Sequence, residues 1–162
     1  MVRNAELKDL NEILRIYESA RLYMKNTGNP SQWDDSFPPP SMIEADIRKR
    51  TLYIVERGRK ICGVMEFHIG EEPYYAILDE GAWRYEGDYA TVHRLASDGS
   101  ERGIFSELLE FGKTICRHIR IDTHTDNIVM QRLIEKHSFE KCGAFISAPE
   151  RKWIVYEKLF EQ

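Results

Sequence analysis

Apolar residues recur at helical spacing early in the chain. Leu7, Leu10, Leu14, Tyr17 and Met24, flanked by Ile13 and Ala20, form one stripe, while Glu6, Lys8, Asp9, Glu12 and Glu18 fill the other face. Same-face positions on an α-helix lie three or four residues apart, so the spacing predicts a long amphipathic helix over about 6–25. The turn formers Asn26-Thr27-Gly28-Asn29-Pro30-Ser31 end it, and the aromatic, proline-rich run from Gln32 to Pro40 is expected to be irregular. Ser41-Met42-Ile43-Glu44 matches a capping box, which predicts a short second helix to about Arg50.

From Thr51 the pattern becomes alternating and β-branched. Leu52-Tyr53-Ile54-Val55 reads as a strand, Arg57-Gly58-Arg59-Lys60 as its turn and Ile61 to Ile69 as the antiparallel partner. Between Gly70 and Gly87 the signals are mixed. Tyr74-Tyr75-Ala76-Ile77-Leu78 has strand composition and Asp79-Glu80-Gly81-Ala82-Trp83 loop composition. Tyr89 to Ala96 is apolar on both sides of its alternation, as a central strand buried on two faces would be. Ser97 to Gly103 interrupts, and Ile104, Leu108, Phe111 and Ile115 then make one helical stripe ending near Cys116-Arg117. Ile119-Arg120-Ile121-Asp122 is a short strand. Thr125 or Asp126 is expected to cap a helix carrying Met130, Leu133, Ile134 and His137, and Phe139–Phe145 and Trp153–Leu159 read as the last strands. This order predicts a mixed α/β sheet with helices on both faces.

The chain has 162 residues, 42% hydrophobic and 31% charged, which suits one domain over 1–162. Folding at this length buries about 70% of the unfolded surface, so no metal or disulfide framework is required. Cys62, Cys116 and Cys142 are odd in number with no CxxC pair, and are expected to be reduced thiols of a cytoplasmic protein. A formal charge of −4 argues against nucleic acid as a partner, because phosphate binding needs a basic surface. The opening Met1-Val2-Arg3-Asn4 runs into charged sequence without an apolar h-region, so export is not expected. No apolar stretch approaches the ~20 residues of a membrane span, and no membrane association is expected. A homodimer is allowed by the sequence and not required by it.

Chemistry is concentrated where the strand over 89–96 passes through Ser97–Gly103 into a helix. Such a turn presents backbone N–H groups and the positive end of a helix dipole at one point, and suits phosphate or pyrophosphate. Gly99 and Gly103 permit close approach, and Arg102 adds charge. The plain alternative is an ordinary strand-to-helix connection whose glycines only shape the turn. Cys116 has Lys113 and Arg117 near it in sequence, a setting that lowers a thiol pKa, but packing is the favoured role and no acyl-cysteine is expected.

Arg3-Asn4-Ala5 followed by Asp9-Leu10 and Ile13, His93-Arg94-Leu95-Ala96 followed by Glu101-Arg102-Gly103-Ile104-Phe105-Ser106-Glu107-Leu108-Leu109, and Asn127 followed by Leu133, Glu135-Lys136 and Phe139 together resemble the GNAT superfamily of N-acetyltransferases over nearly the whole chain. The resemblance implies a mixed, mostly antiparallel central sheet with helices on both faces. It also implies acetyl-CoA as co-substrate and direct transfer of its acetyl group to a primary amine of a small molecule or peptide. Leu95, Ala96, Glu101, Arg102, Gly103, Ile104, Phe105, Ser106 and Asn127 are then the cofactor-binding candidates, Asn127 serving equally as a helix cap. The family's loop reads Gln or Arg, two residues, Gly, one residue, then Gly or Ala. Here it reads Ser100, Glu101-Arg102, Gly103, Ile104, Phe105, so Phe105 must turn into the core or hold the phosphates further out. The family's frequent thiolate-protonating tyrosine falls at Ile134, which motivates a rival, a catalytically silent acyl-CoA-binding or sensing module. A third reading is an interaction protein without cofactor.

Two residues are candidate bases for the attacking ammonium. His93 shares a strand face with Tyr89, Thr91 and Leu95 and titrates in the useful range; its alternative is a histidine hydrogen-bonded within the sheet. Glu66 alternates with Val64 and His68 on the neighbouring strand; its alternative is a solvent-facing carboxylate. His124 and His137 read as structural. Trp33 with Asp34 and Asp35 could hold a cationic amine through ring face and carboxylate, with Trp83, near Glu80 and Tyr85, forming the opposite wall. Trp33 could equally plug its loop onto the core.

Overall fold

A computed structural model describes residues 1–161. Along the chain lie β1 (Val2–Asn4), α1 (Leu10–Asn26), α2 (Pro40–Lys49), β2 (Leu52–Arg57), β3 (Lys60–Ile69), β4 (Glu80–Gly81), β5 (Ala90–Ser97), α3 (Ile104–Ile115), β6 (His118–His124), α4 (Ile128–Lys136), β7 (Glu140–Ala148) and β8 (Arg151–Leu159). This is a mixed α/β fold, and the strand pairs described run antiparallel except β5 with β6. Two compact units are formed, each from separate stretches of chain: Met1–Phe67 with His93–Gly112, and His68–Val92 with Lys113 onward. The divisions fall within β3, β5 and α3.

In the first unit β1 pairs with β2, and β2 with β3 through the Gly58-Arg59 turn, with Leu52 opposite Glu66, Tyr53 opposite Met65 and Ile54 opposite Val64. Alternation sends these pairs to opposite faces. Leu52, Ile54 and Val64 join Ile13, Ile16 and Tyr17 of α1 and Ile43 and Ile47 of α2 in one core cluster. On the other face the Tyr53 ring lies 5.0 Å from Phe111 of α3 and 6.5 Å from Phe67. Gly63 is needed here, because a Cβ would sit 2.3 Å from Ile104.

The first helix differs from its sequence reading at its start. Leu7–Asp9 is a separate turn of 3-10 helix, Leu7 is exposed, and the buried stripe of α1 is Ile13, Ile16, Tyr17 and Ala20. α2 also starts earlier than the Ser41 capping box implies. Pro39 stands at its N-cap, with no side-chain cap bond, and Pro40 at its first position, where proline has no N–H to satisfy and its φ is preset.

Arg3 ties the N-terminal turn to β2. Its Nη1 and Nη2 donate to Asp9 at 2.8 and 3.1 Å, and its Nε and Nη2 to Glu56 at 3.2 and 3.1 Å. Burial favours the neutral acid at Asp9, but Arg3 and the Glu6 amide outweigh it and hold the pKa below the ordinary carboxylate value. A depressed folded pKa gives stability that is present above the unfolded pKa and lost as pH falls through the folded one. Arg3→Met is therefore expected to cost about 2 kcal/mol at neutral pH and much less below about pH 3, as urea unfolding at the two pH values would measure.

In the second unit β6 pairs in parallel with Ala90–Val92 of β5 and antiparallel with β8, and β7 pairs with β8 on one side and β4 on the other. The segment 70–89 departs from expectation. Pro73–Tyr75 is a 3-10 turn rather than strand, with Tyr75 buried beside Phe145 and Val155, and Glu80–Gly81 is a two-residue strand within the stretch read as loop. Its partner is Gly143, and a Cβ on either glycine would come within 2.0 Å of the other strand's backbone, so both positions require glycine. Glu157 of β8 is fully buried. It accepts from the Arg84 and Tyr85 amides, from the Cys142 thiol at 3.4 Å and from His118 Nε2 at 3.1 Å, and it faces Arg120 Nε at 3.4 Å.

Candidate active site

A buried charged cluster lies in the first unit where β3, β5, α1 and α2 meet. Arg94, in the middle of β5, has φ 46°, a left-handed conformation that costs a residue with a Cβ about 1 kcal/mol and persists only where its surroundings hold it. Tyr17 holds it from one side: its fully buried hydroxyl donates to the Arg94 carbonyl at 2.9 Å. Asp46 holds the other end, with Oδ2 2.6 Å from Arg94 Nη2. Glu66 Oε2 lies 3.9 Å from the same nitrogen.

Local sequence rules explain each placement. Glu66 is two residues from Val64 on β3, so alternation turns it toward α1 and α2, where it is 4% exposed. Asp46 stands between Ile43 and Ile47 on the buried face of α2 and is 6% exposed. Two carboxylates thus share one guanidinium away from water. Burial raises the Asp46 pKa above its ordinary value; Arg94 opposes the rise and the Glu66 charge adds to it. Burial likewise raises the Tyr17 pKa far above that of a free phenol, keeping its hydroxyl a donor.

The same strand leads into the glycine turn. The Asp98 amide donates to the Cys62 carbonyl at 3.2 Å, while its carboxylate meets Lys60 Nζ at 2.7 Å and accepts from the Ser100 amide and hydroxyl at 3.0 and 2.6 Å. Gly99 and Gly103 have φ 73° and 77°, and a Cβ on either would meet nothing within 4 Å. Glu101, Arg102 and Gly103 are exposed, whereas Ile104 and Phe105 are buried. Phe105 has therefore turned into the core, the first of the two arrangements its size allowed. The Glu107 amide donates to the Gly103 carbonyl at 3.0 Å, so the positive end of α3 opens onto this turn.

Leu95 and Ala96 follow Arg94 on β5, Ser106 is on the first turn of α3, and half-buried His93 precedes Arg94. Trp33 is 8% exposed with its ring 5.7 Å from Tyr17 and 5.8 Å from Phe37, so it plugs its loop onto the core rather than offering a face to an amine. Asp34 closes its own turn by accepting from the Ser36 amide and hydroxyl. Trp83 belongs to the second unit, where its ring stacks on the Arg120 guanidinium at 4.0 Å. Asn127 is the N-cap of α4, its Oδ1 accepting from the Met130 amide at 3.0 Å; of the three cap candidates it fills the position rather than Thr125 or Asp126. His124 Nδ1 accepts from the Asp126 amide at 3.2 Å, and His137 Nδ1 lies 2.8 Å from the Leu133 carbonyl. Burial pushes the Cys142 thiol up to about 12, which removes it as a nucleophile. Tyr17, Asp46 and Arg94 were missed by sequence reasoning; the available signal was a charged residue on the apolar face of α2 and another inside an apolar strand.

No family model matches the chain, and no curated protein matches its sequence. Among solved structures it is similar to a GNAT-family acetyltransferase of Streptococcus agalactiae, with TM-score 0.88 and 25% identity over 100% of this chain and 96% of that one. The chain belongs to the GNAT superfamily. A GNAT-family acetyltransferase of Listeria monocytogenes has TM-score 0.71 and 17% identity over 99% of this chain and 94% of that one. A ribosomal-protein-alanine N-acetyltransferase of Brucella melitensis has TM-score 0.65 and 15% identity over 99% of both. At such identities the last two speak to fold alone. The GNAT neighbours support an acetyltransferase in the generic sense, with the buried cluster and the glycine turn as its candidate machinery.

Proposed function

We propose that the protein is an acetyl-CoA-dependent N-acetyltransferase that moves an acetyl group directly to a primary amine. The observation that carries this reading is the turn ahead of α3: two exposed left-handed glycines with open space where side chains would stand, at the positive end of a helix, with Arg102 alongside. Such a turn suits a pyrophosphate, since backbone can approach closely and the dipole favours negative charge. When bound, acetyl-CoA supplies an activated thioester carbonyl. Gly99 and Gly103 admit its phosphates, and Arg102 adds positive charge. An amine arrives as ammonium and must lose a proton before it has a lone pair to donate, and Glu66, a carboxylate held out of bulk water beside Arg94, is the group favoured to accept that proton. His93, half-buried on the adjoining strand, is the competing acceptor.

Acetyl-CoA consumption measured against a panel of small-molecule and peptide amines tests the assignment. Turnover with at least one amine is expected. Tight CoA binding with no turnover would instead favour the silent acyl-CoA-binding module, which the buried Ile134 at the family's tyrosine position also suggests. Absence of any thermal shift with CoA would reject both. Gly103→Asp places a carboxylate into the open space at the turn, at a φ that aspartate tolerates better than most residues. It is expected to weaken CoA binding at least about tenfold by repulsion, with a melting temperature lower by only a few degrees from the strain of a left-handed φ. Unchanged affinity by calorimetry would reject this turn as the phosphate site.

A further inference from the structure

The buried cluster holds one guanidinium between two carboxylates at unequal distances, 2.6 Å to Asp46 and 3.9 Å to Glu66. Arg94 has little freedom to even them out, because Tyr17 grips its carbonyl and Asp46 its Nη2. We infer that Asp46 is a positioning residue, which draws the Arg94 guanidinium away from Glu66 and so keeps Glu66 basic enough to take a proton from the acceptor amine. The inference rests on Glu66 being the proton acceptor.

The physical case follows from charge balance. A guanidinium seated directly on a carboxylate stabilises its ionised form and makes it a poor base; a second carboxylate nearby does the reverse. Among the described residues, the groups acting with Glu66 include the Tyr17 hydroxyl from α1, which stays protonated, Asp46 from α2 and Arg94 from β5, with His93 next to Arg94 on β5 and Lys49 of α2 acting on Asp46. With Asp46 ionised, the cluster carries one positive and two negative charges. Remove the Asp46 charge and Arg94 loses its nearer carboxylate, which lets its charge act more strongly on Glu66.

Asp46→Asn keeps the shape and deletes that charge. In protein labelled with 13C at glutamate side-chain carboxyls, with the Glu66 resonance assigned through Glu66→Gln, Glu66 is expected to titrate at least about one pH unit lower in Asp46→Asn than in the wild type. The acid limb of the pH–rate profile for acetyl transfer should move down with it. Arg94→Gln, which removes the cation instead, should shift both upward; this opposed pair of movements is something a merely structural role would not produce. A Glu66 resonance that titrates at the same pH in the wild type and in either folded variant overturns the inference, whether or not an amine substrate has been found. Wild-type turnover and pH profile in Glu66→Gln would instead refute Glu66 as the acceptor, a separate failure from that of the titration.

Discussion

Glu66→Gln is expected to slow acetyl transfer by about 10²–10⁴-fold while leaving the affinity for CoA close to that of the wild type. The amide is isosteric with the carboxylate and can still accept a hydrogen bond, so the cluster around Arg94 is disturbed little in shape. It cannot take up a proton at neutral pH, and the attacking amine therefore stays an ammonium for longer. The glycine turn meets β3 at Lys60 and Cys62, four or more residues from Glu66, and the substitution leaves those contacts in place, so nucleotide binding has no reason to change. The signature is a fall in kcat at constant KM for acetyl-CoA, which marks an interaction used in the transition state rather than in ground-state binding. His93→Ala supplies the control. If His93→Ala lost as much turnover as expected for Glu66→Gln, and Glu66→Gln lost little, the proton would be going to the imidazole.

Much of the fold was legible because burial in the two kinds of element has a simple period. The apolar spacing of α1 and α3 and the alternation of β2 and β3 required no knowledge of what they pack against. The segment 70–89 was opaque for a physical reason. Tyr74, Tyr75 and Ile77 have strand composition, but Pro73 opens a 3-10 turn, Tyr75 is buried and Ile77 is 84% exposed, an outcome set by tertiary contacts with Phe145 and Val155. The cap of α2 was misread, and that of α4 left open among Thr125, Asp126 and Asn127, because several residues near each start can cap. Pro40 at the first helical position and the Asn127 side chain prevailed over Ser41 and over Thr125 or Asp126.

The site divides the same way. The glycine turn and Glu66 could be found by scanning, since each is defined by its immediate neighbours. The use of Asp46 and Arg94 could not, because their contact joins residues 48 apart in sequence, which no local pattern brings together. Trp33 shows the converse, two readings open in sequence of which the structure has the loop plug. An aromatic beside two aspartates looks like a cation trap in sequence, but its loop folds so that the ring seals the space between Tyr17 and Phe37. A charged side chain on an otherwise apolar face is thus the more useful sequence signal here than an aromatic one in a polar loop.

Glu157→Gln is expected to destabilise the protein by about 3–5 kcal/mol, the usual cost of removing one partner from a buried ion pair. At this chain length that corresponds to a melting temperature lower by roughly 10 °C. Glu157 is the counter-charge to Arg120, whose guanidinium is sandwiched between the Trp83 and Tyr89 rings at 4.0 Å each and donates to the Tyr85 carbonyl at 3.0 Å. The same carboxylate accepts the Arg84 and Tyr85 amides, so Glu157 of β8 and Arg120 of β6 together tie down the stretch from Trp83 to Tyr89. A glutamine must turn its NH₂ toward one of these donors and leaves Arg120 buried without a partner charge. Burial alone would raise the Glu157 pKa, but the Arg84 amide, His118, Cys142 and Arg120 outweigh it and hold it below the ordinary value. Its contribution is therefore complete above the unfolded carboxylate pKa and is lost as pH falls through the folded one, so the gap between wild type and Glu157→Gln should narrow below about pH 4. Arg120→Met added to Glu157→Gln should recover part of the loss, because the stranded cation goes with it. A double variant no more stable than Glu157→Gln alone would mean that the strap is held by the amide bonds and the aromatic sandwich, and not by the charge pair at its centre.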